Sequence, residues 1–177
     1  MQMSFDDAKA MLQQHAGHIE LPDRDSLVES LRPYRGLSER NFCEIMIGLI
    51  NVHKELSEQD MVDRELIYAC WDLCTRIRFL ALSETSPLRT NRLISQTDLD
   101  RLGEWYNSID SFCRRSLHKL DLGTCLSNFI EYIGSEKCPD PTAFQMCVPL
   151  FVSLKPDADF ELAPLLDRAL QVLYGTK

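Results

Sequence analysis

Apolar residues along this chain recur at intervals of three and four, and the polar residues between them fall where helices start and stop. Phe5–Ala16 reads as a first helix, with Ser4 as its cap, Asp7 at the third position and Gly17 to end it. A short second helix, Ser26–Arg32, is stopped by Pro33, and Tyr34–Leu37 turns through Gly36. From Ser38 a third helix places Phe42, Ile45, Met46, Leu49, Ile50, His53 and Leu56 on one side, opposite a polar edge of Glu44, Gly48, Asn51 and Glu55, and it ends near Ser57. The fourth, Asp60–Leu82, is apolar around most of its circumference, through Val62, Leu66, Ile67, Ala69, Cys70, Trp71, Leu73, Cys74, Ile77 and Leu80. That pattern predicts a helix covered on several sides, at the centre of the fold.

A connection, Ser83–Ser95, leads to a fifth helix over Asp98–Lys119, with Thr97 and Asp100 as a capping box and a stripe of Leu99, Leu102, Tyr106, Ile109, Cys113, Leu117 and Leu120. A sixth runs Thr124–Ile133 and ends at Gly134. Asp140 and Pro141 open the last quarter, where Pro149 interrupts Phe144–Leu154. A broken helix is expected there, although Val148–Val152 also suits a short strand. Pro164–Tyr174 forms the final helix. Acid-before-base pairs at four-residue spacing, Asp60 with Arg64, Asp72 with Arg76 and Asp110 with Arg114, support helices and have no use in strands. The expected fold is all-α, an irregular bundle of about seven or eight helices in one domain over 1–177, with the two long helix pairs as candidate stacked hairpins.

Composition permits such a bundle: 177 residues, 45% of them hydrophobic and 26% charged, bury a full core without staples. The net charge of −8 is uneven, at −6 over residues 1–63, +2 over 64–119 and −4 over 120–177. An acidic chain disfavours nucleic acid and anionic membrane surfaces as partners. The acidic start lacks a leader, and no stretch is apolar enough to span a membrane, so a cytoplasmic location is expected. Seven cysteines without a Cys-x-x-Cys read as reduced thiols with no metal and no cofactor. Were helices three and four to fold back near Ser57–Asp60, Cys43, Cys70 and Cys74 would lie level and gather.

Candidate chemistry is sparse. No Gly-rich phosphate loop, Gly-x-Ser-x-Gly elbow or His-Glu-x-x-His occurs, which weighs against an enzyme. Ser116-Leu-His-Lys119 reads as a surface helix end, and His15 and His18 as histidines near terminal carbonyls. His53 reads as a satisfied core histidine. The net-positive middle remains: Arg89 and Arg92 in a long connection, close to Arg76 and Arg78 at the end of the fourth helix, with Trp105 and Phe112 as a candidate exposed ridge beside them. These six residues are the expected binding surface. The expected function is a noncatalytic helical module that binds another protein, one version being an acidic neutraliser of a basic protein. The competing reading is a small enzyme or ligand-binding regulator that holds an anionic ligand on the arginine-containing connection.

Overall fold

The computed structural model describes residues 3–19, 26–58, 63–135, 138, 140–155, 158 and 162–175, with the backbone alone for 54–58. Its elements are α1 (Phe5–His15), α2 (Leu27–Ser30), α3 (Glu39–Glu58), α4 (Arg64–Ile77), a π turn (Arg78–Leu82), α5 (Pro87–Thr90), α6 (Gln96–Leu117), α7 (Leu122–Ile133), a 3-10 segment (Pro141–Cys147), α8 (Val148–Leu154) and α9 (Leu162–Gly175). The fold is an all-α multi-helix bundle.

Side-chain caps set most of the starts. Ser4 accepts from the Asp7 amide, and Ser26 and Glu29 form a reciprocal capping box. Asp63 Oδ1 receives the amides of Glu65 and Leu66 at the head of α4, and Asp121 receives Thr124 at the head of α7. The cap of α6 is Ser95, which accepts from the Asp98 amide, so the helix begins earlier than a Thr97–Asp100 box implies. In the last quarter the chain is a broken helix: Asp140 caps the 3-10 segment, and Pro149 sits in the first turn of α8, where its missing N–H costs nothing. Val148–Val152 is helical, not a strand. The Asp60–Arg64 pair lies outside the described residues, whereas Arg76 pairs with Asp72 and Arg114 with Asp110.

Helix order in space departs from the hairpin expectation. α1 packs against both α3 and α4, and α3 packs on α6, which lies beside α7. Gly48 lets α1 approach α3, since a Cβ there would meet the Leu12 side chain at 3.1 Å. Cys43 therefore does not join Cys70 and Cys74. Its Sγ lies 2.8 Å from that of Cys147, and Cys113 of α6 is the thiol that meets Cys70 and Cys74.

The core is centred on Phe42, whose ring stacks on Trp105 at 5.0 Å and receives the edges of Phe129, Tyr132 and Phe144. Trp105 and Phe112, expected as an exposed ridge, are both fully buried. The reason is a rotation of α6: its buried line is Leu102, Trp105, Ile109, Phe112 and Ser116, while Leu117 and Leu120 of the expected stripe face outward. Two charged groups near the core, Arg101 and Glu44, have charged partners. Arg101 bridges Glu39 and Asp98 with its guanidinium over Trp105. Glu44 is held by Arg40, and His15 Nε2 lies 3.3 Å from its carboxylate without hydrogen-bond geometry. Burial alone would push the Glu44 carboxyl up, but its contacts with His15 and Arg40 outweigh that and hold it at about 2.

Candidate functional site

α4 buries one stripe, Leu66, Ala69, Cys70, Leu73 and Ile77, continued by Ala81 in the π turn. These positions follow the three-four spacing of a single face, so the remaining apolar residues of the helix point elsewhere. Tyr68, Trp71 and Phe79 stand 53%, 60% and 67% exposed. The expectation of a centrally buried fourth helix is thereby corrected: the helix and the π turn after it carry a second, aromatic stripe at 68, 71 and 79 that stays more than half exposed. Contiguous exposed aromatic surface is uncommon away from binding sites, and Tyr and Trp are the types enriched in interface hot spots.

The stripe is ordered from one end. Asp72 receives Arg76 Nε at 2.6 Å and meets His18 Nε2 at 2.8 Å. That fixes the His18 ring, which stacks on Tyr68 at 4.9 Å, and Tyr68 in turn stacks on Trp71 at 6.2 Å. Three rings thus form a row whose rotamers are restrained before any ligand arrives, which lowers the entropy lost on binding.

At the other end the π turn closes with the Ser83 amide donating to the Arg78 carbonyl at 2.8 Å. A π turn inserts an extra residue into the helical register and is frequent at functional sites. Here it borders a groove of about 390 Å³ between α4 and α6, lined by Trp71, Cys74, Thr75, Arg78, Phe79, Ser83, Tyr106 and Asp110. Burial, followed by the nearby Asp110 carboxylate, raises the Tyr106 hydroxyl above its ordinary value, so it stays a neutral donor. Arg114 is paired with Asp110 at the rim, whereas Arg78 makes no ion pair among the described residues. The groove therefore combines aromatic walls with Arg78 and with Asp110, whose charge Arg114 offsets.

The other expected site residues divide among this face, the connection that follows it and the core. Arg76 orders the row through Asp72, and Arg78 forms a wall of the groove. Arg89 donates to the Leu82 carbonyl at 3.1 Å, at the end of the π turn, and Arg92 is exposed with a φ of 54°. Trp105 and Phe112 lie behind, in the core. The connection between α4 and α6 is structured: Leu88 and Ile94 are buried anchors, Ser86 Oγ donates to the Ala81 carbonyl, and Thr90 and Asn91 bond back to Ser86 and Pro87. Its hydroxyl and amide groups serve its own turns.

Other candidate chemistry resolves into structural pairs. His53 Nδ1 is 2.9 Å from Ser116 Oγ, and Ser116 is fully buried against Cys125, which removes it as an accessible nucleophile. His15 accepts the Leu27 amide on Nδ1, so His15 and His18 serve separate partners and not helix-end carbonyls. No group of three or more metal-ligating side chains is placed to hold an ion among the described residues, and none of their helices is long and apolar enough to cross a membrane. Comparison with family models, curated proteins and solved structures finds no match for this chain.

Proposed function

We propose that this chain is a noncatalytic recognition module that docks a segment of another protein on the aromatic face of α4 and in the adjoining groove. The observation that carries the reading is the exposure of Tyr68, Trp71 and Phe79 on one helical face beside a cleft of about 390 Å³. The occupant we assign is an amphipathic segment with apolar anchors and a flanking carboxylate. Its apolar side chains fill the space between Phe79 and Tyr106, and its carboxylate neutralises Arg78. This face favours an acidic segment over a basic one, which argues against the neutraliser version. The anionic-ligand reading has less support, since Arg89 is engaged by a backbone carbonyl and the groove is lined by Arg78 instead.

Selection of displayed amphipathic peptides tests the proposal, with counter-selection on a Trp71→Ala/Phe79→Ala double variant. Enrichment of acidic-flanked peptides that bind the native chain and shift its Trp71 fluorescence is the expected outcome. Peptides with basic flanks, or peptides that bind the double variant equally well, would sink it.

A further inference from the structure

The seven thiols fall into environments with different chemical prospects. Cys43 and Cys147 are sealed in the core, where mutual hydrogen bonding, followed by burial, pushes the Cys43 thiol far up and keeps it protonated. Cys70, Cys74 and Cys113 lie together where α4 meets α6, behind the groove. Cys70 and Cys113 are buried there, but Cys74 is partly exposed and forms part of the groove wall. A small molecule in the groove meets one thiol, and behind that thiol stands a second on the opposing helix.

The geometry points to Cys74 as a covalent modification site for small disulfides, with Cys113 as the thiol that resolves the adduct into a cross-link between α4 and α6. In the first step the Cys74 thiolate attacks one sulfur of the incoming disulfide. The S–S bond breaks, half of the molecule leaves as a thiol carrying the proton that Cys74 gave up, and half remains as a mixed disulfide. In the second step Cys113, deprotonated, attacks the Cys74 sulfur and displaces the other half as a second thiol. Two protein thiols are oxidised and one small disulfide is reduced to two thiols, so no further oxidant enters.

Three features set the order and the pairing. Cys74 reacts first because it is the accessible member, in the wall of the groove. Cys113 follows because hydrogen bonding with Cys70 and Cys74, then burial, raises its thiol and makes it the slower to ionise, and the proton that it gives up leaves on the second released thiol. Cys70 is the poorer resolving partner. It sits four residues from Cys74 on the same helix, where Cβ atoms stand roughly 5–6 Å apart, against the roughly 3.5–4.5 Å that a disulfide requires. The aromatic walls Trp71, Phe79 and Tyr106 select for an aromatic or apolar disulfide.

The test uses the folded chain and dithiodipyridine, an aromatic disulfide whose released thiopyridone is read by absorbance. A fast phase should release two equivalents of thiopyridone, and peptide mapping should find Cys74 linked to Cys113. Cys74→Ser should abolish that phase, and Cys113→Ala should halve the release and leave a pyridyl adduct on Cys74. If Cys113→Ala loses its helical circular dichroism, the stoichiometry and peptide map of the native chain decide alone. No phase faster than global unfolding, a single equivalent with a stable adduct, or a link to Cys70 would each overturn the assignment. Whether the cross-link alters peptide docking rests on the proposed function and is read separately, by comparing peptide affinity of the reduced and cross-linked chains. The thiol chemistry stands or falls without that comparison.

Discussion

Two aromatic clusters lie on adjacent helices and meet opposite fates. In the first, Trp105 of α6 stacks on Phe42, and Phe129, Tyr132 and Phe144 close around Phe42 edge-on. In the second, among the described residues, Tyr68 and Trp71 stack along their own helix and against His18, and Phe79 stands two-thirds exposed at the edge of the groove. Ring type and helical spacing are similar in both. What differs is a covering helix: α3 and α7 lie over one stripe of α6, whereas α1 covers the aliphatic stripe of α4 and leaves the aromatic one open. Aromatic surface of the first kind stabilises the fold, and that of the second is available to a partner.

The sharpest way to break the comparison is Trp105→Ala. A fully enclosed indole replaced by a methyl leaves a cavity on the Phe42 face, with an expected cost of about 3–5 kcal/mol in urea unfolding. A cost within about 0.5 kcal/mol would mean that Trp105 is not the centre of the core. Next in size is the buried carboxylate nearby. The Glu44 carboxyl, held at about 2, lies below its unfolded value, so the stabilisation is complete above about pH 4.3 and is lost as pH falls toward 2. The loss should be on the order of 3 kcal/mol across that window, and Glu44→Gln should flatten it. An acid profile identical in Glu44→Gln would show that other carboxylates govern acid unfolding.

Much of the fold is legible in the sequence because caps and three-four spacing are local physics. Ser4, Ser26, and Asp140 with Pro141 mark helix starts that the structure keeps. One error is local, the cap of α6 being Ser95 and not Thr97 with Asp100, and the larger ones are tertiary. A helix apolar on two stripes reads as buried all round, and only subtraction of the 66, 69, 70, 73, 77 line leaves 68, 71 and 79 as a second face. Trp105 and Phe112 look peripheral because Tyr106 and Cys113, one residue on from each, fit an equally regular stripe. Spacing gives the period of a helix but leaves its rotation undetermined within about one residue. Insertion of α1 beside both α3 and α4 joins residues far apart in sequence, and with it goes the Cys43–Cys147 contact. The positive charge of the middle third is legible, and Arg76 and Arg114 keep the partners four residues back that the spacing predicts, whereas the bond from Arg89 to the Leu82 carbonyl depends on how the connection folds.

Trp71→Ala sharpens the comparison from the other side. Stability should change by no more than about 0.5 kcal/mol, because the indole is mostly in water already. Affinity for a selected acidic-flanked peptide should fall by about 2 kcal/mol or more, the scale of an interface hot spot. Phe79→Ala should act in the same direction. A variant that loses several kcal/mol of stability while its folded form keeps the peptide affinity would make the indole a structural group and leave the face without its anchor.

The smallest effects are expected at Arg89 and Arg92. Both are exposed, Arg89 contributes one solvent-accessible hydrogen bond to the Leu82 carbonyl, and Arg92 holds a left-handed φ of 54° with no glycine to ease it. The Arg89→Ala/Arg92→Ala double variant should keep its helical circular dichroism and lie within about 0.5 kcal/mol of the native stability. Peptide affinity should weaken modestly, and more at low salt, since these charges act on an acidic segment from beyond the groove and are screened over about 10 Å at 0.1 M salt. Arg92→Gly separates charge from backbone: it removes the same cation but relaxes the left-handed residue, so stability should rise while the salt-dependent loss of affinity remains. A loss in the double variant as large as that of Trp71→Ala would move the centre of recognition from the aromatic face to the connection. An unchanged affinity at low salt would make the connection a strut that carries the chain from the π turn into α6 and leave Arg78 as the cation that the partner meets.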